Sequence, residues 1–244
     1  MTAQHRWLVL RLEAPLVSFG GVTVDQIGVT RDFPSASMLT GLIANALGWE
    51  RTAGSAHQAL QDRLIFAARR ERESPTGILT DTQNAKLEAR DAGWTTRGEP
   101  EGRAGATYDS PHRRRRDYHV DESVTVALRL EPPLPNPDLN TVAAALDHPA
   151  RPIFLGRKPC LPATPVRFGE VEASTAYDAL CLVPPAENKG RPMRALWPDG
   201  EGPTEGPRVL RVLDLADLRN WKTGLHGGSR RVVEGMIVIP GVNP

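Results

Sequence analysis

Arginine dominates the chemistry-bearing side chains of this 244-residue chain. Arg113, Arg114, Arg115 and Arg116 stand in succession, with Tyr118 close behind and His112 and His119 at the two ends. Arg157 and Lys158 follow Gly156, and Arg31 precedes Ser35 and Ser37. A guanidinium group offers paired donors to phosphate oxygens and a flat face for stacking, so clustered arginines point to a polyanion. Trp94 and Tyr108 interleave with Arg90, Arg97 and Arg103, the mixture of rings and cations that single-stranded nucleic acid uses. A helix opening at Ser35 turns unpaired backbone N–H groups toward a loop that carries Arg31 and Ser37, which makes an anion site. The plain alternatives are a solvated face for each basic run and a simple cap for Ser35.

Catalytic constellations are not in view. The chain has no G-x-S-x-G, no Gly-rich phosphate loop after a strand, no H-E-x-x-H and no close carboxylate pair in apolar surroundings. Of His5, His57, His112, His119, His148 and His226, only His112 and His119 sit near cations. A histidine that moves the 2′-OH proton beside such cations could cleave RNA without a metal, and such metal-independent endoribonuclease action is the alternative to binding. Cys160 and Cys181 lack metal-ligand spacing, so neither a zinc site nor a disulfide framework is expected, and a reduced cytoplasm is the expected location. The formal charge of +1 gives no global field. No apolar run reaches the roughly 18 residues of a membrane span. The N-terminal apolar stretch runs directly into Arg11 and Glu13 and reads as a strand rather than a signal.

These side chains need a scaffold, and 40% hydrophobic with 24% charged residues is the composition of a globular one. The length fits one large domain with an appendage, and 22 Gly with 22 Pro predict many turns and long ordered loops. Residues 7–12 alternate as a buried strand, and Met38, Leu39, Leu42, Ile43, Ala46 and Leu47 recur at helical spacing between a Ser35 cap and a Gly48 stop. A second strand is expected over 64–68, ending at the charged run 69–73. Residues 81–111 are polar and read as a protruding arm, and 118–130 alternate as a half-buried strand. Pro132, Pro133, Pro135 and Pro137 break the chain before a second helix over 138–146. Strand, helix, strand, arm, strand, helix is the start of a ferredoxin-like (RRM-like) β-α-β-β-α-β domain, which makes the fold class α+β. The expected organisation is a ferredoxin-like domain over 1–150 with its arm at about 81–118. A small β-rich extension over 151–244, with strands near 209–213 and 236–239, packs on it.

Taken in order, these segments resemble a known family. Leu8-Val9-Leu10-Arg11-Leu12-Glu13-Ala14-Pro15 with Ser18-Phe19-Gly20 is similar to the L-x-L-R-L-x-x-P and aromatic-Gly pattern of the CasD family, subunits of the type I-E CRISPR surveillance complex Cascade. Arg31-Asp32-Phe33-Pro34-Ser35 with Leu39-Thr40-Gly41-Leu42 and Leu47-Gly48 resembles its R-x-F-P-(S/T) helix entry and L-x-G-L repeat. Arg116-Asp117-Tyr118 and the strand from Asp121 to Leu128 resemble the return strand after that family's thumb. Phe154-Leu155-Gly156-Arg157-Lys158-Pro159-Cys160 resembles its Y-L-G-R-(R/K)-x-C signature.

The resemblance implies a non-catalytic subunit of an RNA-guided complex in antiviral defence, which caps the 5′ handle of the CRISPR RNA. It implies contacts with adjacent backbone and large subunits, target DNA recognition through the complex, and no cofactor, metal or membrane. The arm at about 81–118 is then a thumb that reaches the neighbouring backbone subunit. The implied RNA-binding set is Phe19, Gly20, Arg31, Ser35, Ser37, Arg113, Arg114, Arg115, Arg116, Tyr118, Gly156, Arg157 and Lys158. In the related type I-C branch the equivalent subunit cleaves precursor RNA with a Tyr, Lys and His set, of which only Tyr118 and His119 offer loose counterparts here. A free-standing RNA-recognition domain is disfavoured, because the strands lack the aromatic pair that such domains stack on bases.

Overall fold

The computed structural model describes residues 3–24, 26–73, 77–85, 93–94, 100–101, 112–186 and 190–239. In chain order the elements are β1 (His5–Val17), β2 (Thr23–Val24), β3 (Ile27–Gly28), α1 (Ala36–Ala46), α2 (Gly54–Arg63), β4 (Leu64–Arg72), β5 (Ile78–Ala85), β6 (Gly93–Trp94), β7 (Pro100–Glu101), β8 (His112–Leu130), α3 (Leu139–Asp147), β9 (Arg167–Ala173), α4 (Ala176–Leu182), β10 (Met193–Pro198), β11 (Val209–Leu215) and β12 (Arg230–Ile237). The fold is α+β, with one large antiparallel sheet whose main path runs β11-β12-β10-β4-β8-β1-β9.

The uninterrupted apolar run of β1 is explained by burial on both faces. Leu8, Leu10 and Leu12, with Phe66, Val124, Val126 and Leu128, pack under Leu39 and Ile43 of α1 and Val142 and Leu146 of α3. Trp7, Ala67 and Ala127 face the other way, against Ala176, Ala179 and Leu180 of α4 and against Trp197 and Val233. Both expected helices form where their caps place them. Ser35 Oγ accepts from the Met38 N–H at 3.1 Å, and Asp138 Oδ1 accepts from the Thr141 N–H at 2.7 Å.

Several expectations need correcting. β4 does not stop at the charged run but continues to Arg72, because its cations are neutralised inside the fold. Fully buried Arg69 donates to the Glu71 carboxylate and to the carbonyls of Leu180 and Val183, and Arg70 donates both arms to Glu122 at 2.7–2.8 Å. A buried cation with every donor matched can sit where an unpaired one could not. The sheet also carries no break at residue 150. β9 lies beyond that position yet pairs with β1, and β10 to β12 extend the same sheet past β4. α2, β9, α4 and β10 had no expected counterpart.

The arginine run lies on the N-terminal half of β8. It runs between β5, paired from Ile78↔His119 to Ala85↔His112, and β3, paired at Ile27↔Arg115 and Gly28↔Arg116. The rest of the expected arm, apart from the short β6–β7 pair, lies outside the described residues. Among the described residues, no helix is long and apolar enough to cross a membrane.

Candidate nucleic-acid interface

Glycines shape the wall of the site. Gly20 has φ +86°, and a Cβ there would stand 2.8 Å from Ser35 Oγ. Gly156 has φ +95°, and its Cβ would come within 1.7 Å of the Ser18 carbonyl oxygen, so the loop carrying Arg157 can lie against β1 only without a side chain. Ser18 N donates to the Leu155 carbonyl at 3.1 Å and fixes that approach.

Between these walls opens a cleft of about 330 Å³, lined by Gly20, Ser35, Ser37, Arg116, Gly156 and Arg157 from the expected set. The same lining includes Thr23, Asn45, Phe154, Arg219, Trp221 and His226, and among the described residues it holds no carboxylate. A larger groove of about 1280 Å³ shares Asn45, Phe154, Arg219 and Trp221 with it and adds Arg51, Lys222, Trp49, His57 and Arg151, the last paired with Glu50 at 2.6 Å. Trp221 stacks on His57 at 4.7 Å, Trp49 meets the His57 edge, and the Arg219 guanidinium lies 5.1 Å above the Trp221 ring. Three cationic arginines, ring faces and hydroxyls around one opening can hold phosphate oxygens and nucleobases.

The individual residues divide by how free they are. The N–H groups that open α1 are not vacant: Ala36 N donates to Asp217 Oδ2 at 3.0 Å, Ser37 N to the Asp217 carbonyl at 3.2 Å, and Met38 N to Ser35 Oγ. Asp217, held in turn by Arg230, thus occupies the expected anion site at this helix end; Ser35 is buried, with its hydroxyl 3.2 Å from that of Ser37, and Ser37 is the less buried of the two at the cleft. Arg31 does not line the cleft; it donates to the Ala216 carbonyl at 2.6 Å. Arg157 borders the cleft while donating to the carbonyls of Asp117 and Gly28 at 2.8 and 2.9 Å, with its guanidinium 5.0 Å from the Tyr118 ring. Phe19 and Tyr118 are core side chains at 0% and 3% exposure, so neither presents a ring to a ligand in this conformation. Lys158 is exposed but outside the lining.

Arg113, Arg114 and Arg115 are exposed on β8, and strand alternation puts Arg114 on the same side as Arg116. His119 is buried, with Nε2 2.8 Å from the Arg31 carbonyl and its ring against Phe19; burial pushes its pKa down. The side chains of His112 and Trp94 lie outside the described residues, as do Arg90, Arg97, Arg103 and Tyr108. Among the described residues, no three His, Cys, Asp or Glu side chains gather to hold a metal ion. Thr23, Asn45, Phe154, Arg219, Trp221 and His226 line the cleft outside the expected set, although Arg219-Asn220-Trp221-Lys222 has the same cation and ring interleaving that singled out the arm.

Residues 7–233, which contain every residue of the cleft, match the family model described as CRISPR-associated protein (Cas_Cas5). The chain belongs to the Cas5 family of CRISPR-associated proteins. Among curated relatives, the "CRISPR system Cascade subunit CasD" of Escherichia coli (strain K12) is 32% identical over 174 residues, 71% of this chain and 75% of that one. Two solved structures share the Cas5 chain's fold. One is titled "CRISPR RNA-guided surveillance complex", with a TM-score of 0.68, 22% identity and coverage of 96% and 91% of the two chains. The other is titled "Crystal structure of Cas protein", with a TM-score of 0.59, 21% identity and coverage of 98% and 100%.

Proposed function

We propose that this Cas5-family chain is a non-catalytic subunit of a CRISPR RNA-guided surveillance complex and that its cleft binds and caps the 5′ handle of the CRISPR RNA. The observation that carries the reading is the cationic cleft, where Arg116, Arg157 and Arg219 meet Phe154, Trp221 and Ser37, with no carboxylate among the described lining residues. Single-stranded RNA wants this combination: cations for its phosphates, ring faces for its bases and hydroxyls for its ribose. The family relationship to a Cascade subunit supports the same assignment.

The core is read as ferredoxin-like because four neighbouring strands run β4-β8-β1-β9, with α1 and α3 over one face. The arm that begins at β5 and returns along β8 is the thumb in this reading, and its arginines face RNA or the adjacent backbone subunit. Large and backbone subunits are the partners, target DNA is met through the assembly, and the cytoplasm is the setting. His119, the candidate base of the nuclease alternative, is buried with Nε2 against the Arg31 carbonyl, which favours the non-catalytic reading.

The test compares binding of the assembled complex to a CRISPR RNA and to the same RNA lacking its 5′ handle, with the purified chain incubated alongside in EDTA. Handle-dependent affinity that requires this subunit, with the RNA left intact, is the expected result. Affinity indifferent to the handle contradicts the capping role, and site-specific cleavage abolished by His119→Ala moves the chain to the nuclease alternative.

A further inference from the structure

Arg219 sits in the loop between β11 and β12 with an unusual set of neighbours. Its Nε is buried and meets no hydrogen-bond partner. Burial, then the Arg51 cation, lowers its pKa, and His226 is its backbone partner in an antiparallel bridge. Yet the residue is held firmly. Its N–H donates to Gln61 Oε1 at 3.1 Å, its carbonyl accepts from Gln61 Nε2 at 2.9 Å, and its guanidinium lies over the Trp221 ring, whose Nε1 also donates to Gln61 Oε1.

A half-buried cation that is fixed in place, whose Nε meets no acceptor among the described residues and whose one charged neighbour, Arg51, is also a cation, is a site prepared for an anion from outside the chain. We infer that Arg219, with Arg116 and His226 around the same cleft, forms a second subsite that takes one phosphate of single-stranded RNA, so that the β11–β12 loop belongs to the RNA-binding surface. The inference rests on the RNA-binding reading and deepens it by naming the phosphate contact made from the β11–β12 loop. RNA is favoured over an acidic protein segment because the opening also presents the Thr23 and Ser37 hydroxyls and the Asn45 amide, which match ribose and base edges. The cleft of about 330 Å³ is at the small end of ligand sites, suited to a nucleotide unit.

The test uses the full chain assembled with its partner subunits and a CRISPR RNA, titrated over a salt series, with thermal melting to confirm folding. Arg219→Gln is expected to weaken binding about tenfold and to lower the salt slope by about 1. Arg219→Lys keeps the slope with intermediate affinity, and Arg231→Gln, at an exposed residue paired with Asp199 outside the cleft, behaves as wild type. Wild-type affinity and slope in Arg219→Gln, beside handle-dependent binding by the wild type, overturn the subsite and leave the capping role standing. Binding by the wild type that ignores the handle removes both. Normal RNA affinity in Arg219→Gln with failure to join the partner subunits identifies the loop as a protein contact and also overturns the inference.

Discussion

Arg116 and Arg157 border one cleft, yet their surroundings assign them different work. Arg157 donates to the carbonyls of Asp117 and Gly28 and so ties its own loop to β8 and β3, whereas Arg116 has no such tie among the described residues. Arg116→Gln is therefore expected to weaken RNA binding by about 1 to 2 kcal/mol and to lower the salt slope by about 1 while leaving the melting temperature unchanged. Arg157→Gln is expected to cost about 1 to 3 kcal/mol of folding stability, because two carbonyls lose their donor. Equal melting temperatures for the two variants contradict the division. His226 supplies a pH signature. Burial, then Arg219 and Arg31, depress its pKa in the free chain. A bound phosphate offsets those cations and favours the imidazolium, so RNA binding takes up a proton. Affinity should rise as pH falls below about 6.5, the ordinary imidazole range, and His226→Gln should remove that rise. Calorimetry in buffers of different ionisation enthalpy reads the proton directly, and proton release on binding contradicts the placement.

At the scale of the elements, the strands and helices that pack the core were legible because hydrophobic periodicity states them. β1, α1, β8 and α3 each carry an apolar face of the right period, and Ser35 and Asp138 mark where two of them begin. α2 was not legible: its sequence, Gly-Ser-Ala-His-Gln-Ala-Leu-Gln-Asp-Arg, has a weak apolar stripe, and Ala53 provides no side-chain cap. The charged half of β4 misled for a different reason: Glu71 neutralises Arg69 from two residues along the same strand, and Arg70 meets Glu122 only once β4 pairs with β8. Gly156 was legible as a residue of a signature, while its cause is visible only in three dimensions. Gly156→Ala should destabilise the chain by about 3 kcal/mol or more, from the positive φ and the clash with the Ser18 carbonyl together. Gly77→Ala provides the comparison: its φ is +69° but nothing lies within 4 Å, so only about 1 kcal/mol is expected. Equal losses in a denaturant titration contradict the close-approach argument.

The molecule as a whole builds its cleft from segments far apart in the chain, with Ser18 and Gly20 at one end and Arg219 to His226 at the other. This separation limited what sequence could say of the site. Residue types pointed to the arginines, the serines and the glycines, and six of the thirteen expected residues do line one opening. Their partners could not be foreseen, because Arg31 donates to a carbonyl 185 residues away and Asp217 reaches α1 across 181. Phe19 and Tyr118 had the right type for stacking on bases, but the fold uses both as core. The continuous sheet holds the β11–β12 loop beside α1, and that closure makes one cationic opening from several weak basic patches. The most direct measurement is photo-crosslinking of the assembled complex with CRISPR RNA bearing a photoreactive base in its 5′ handle, followed by peptide mapping. Crosslinks to this chain at Phe154, Trp221 or the residues around Arg116 are predicted. Handle crosslinks that fall on other subunits, or on this chain at the β11 edge away from the cleft, would contradict the account.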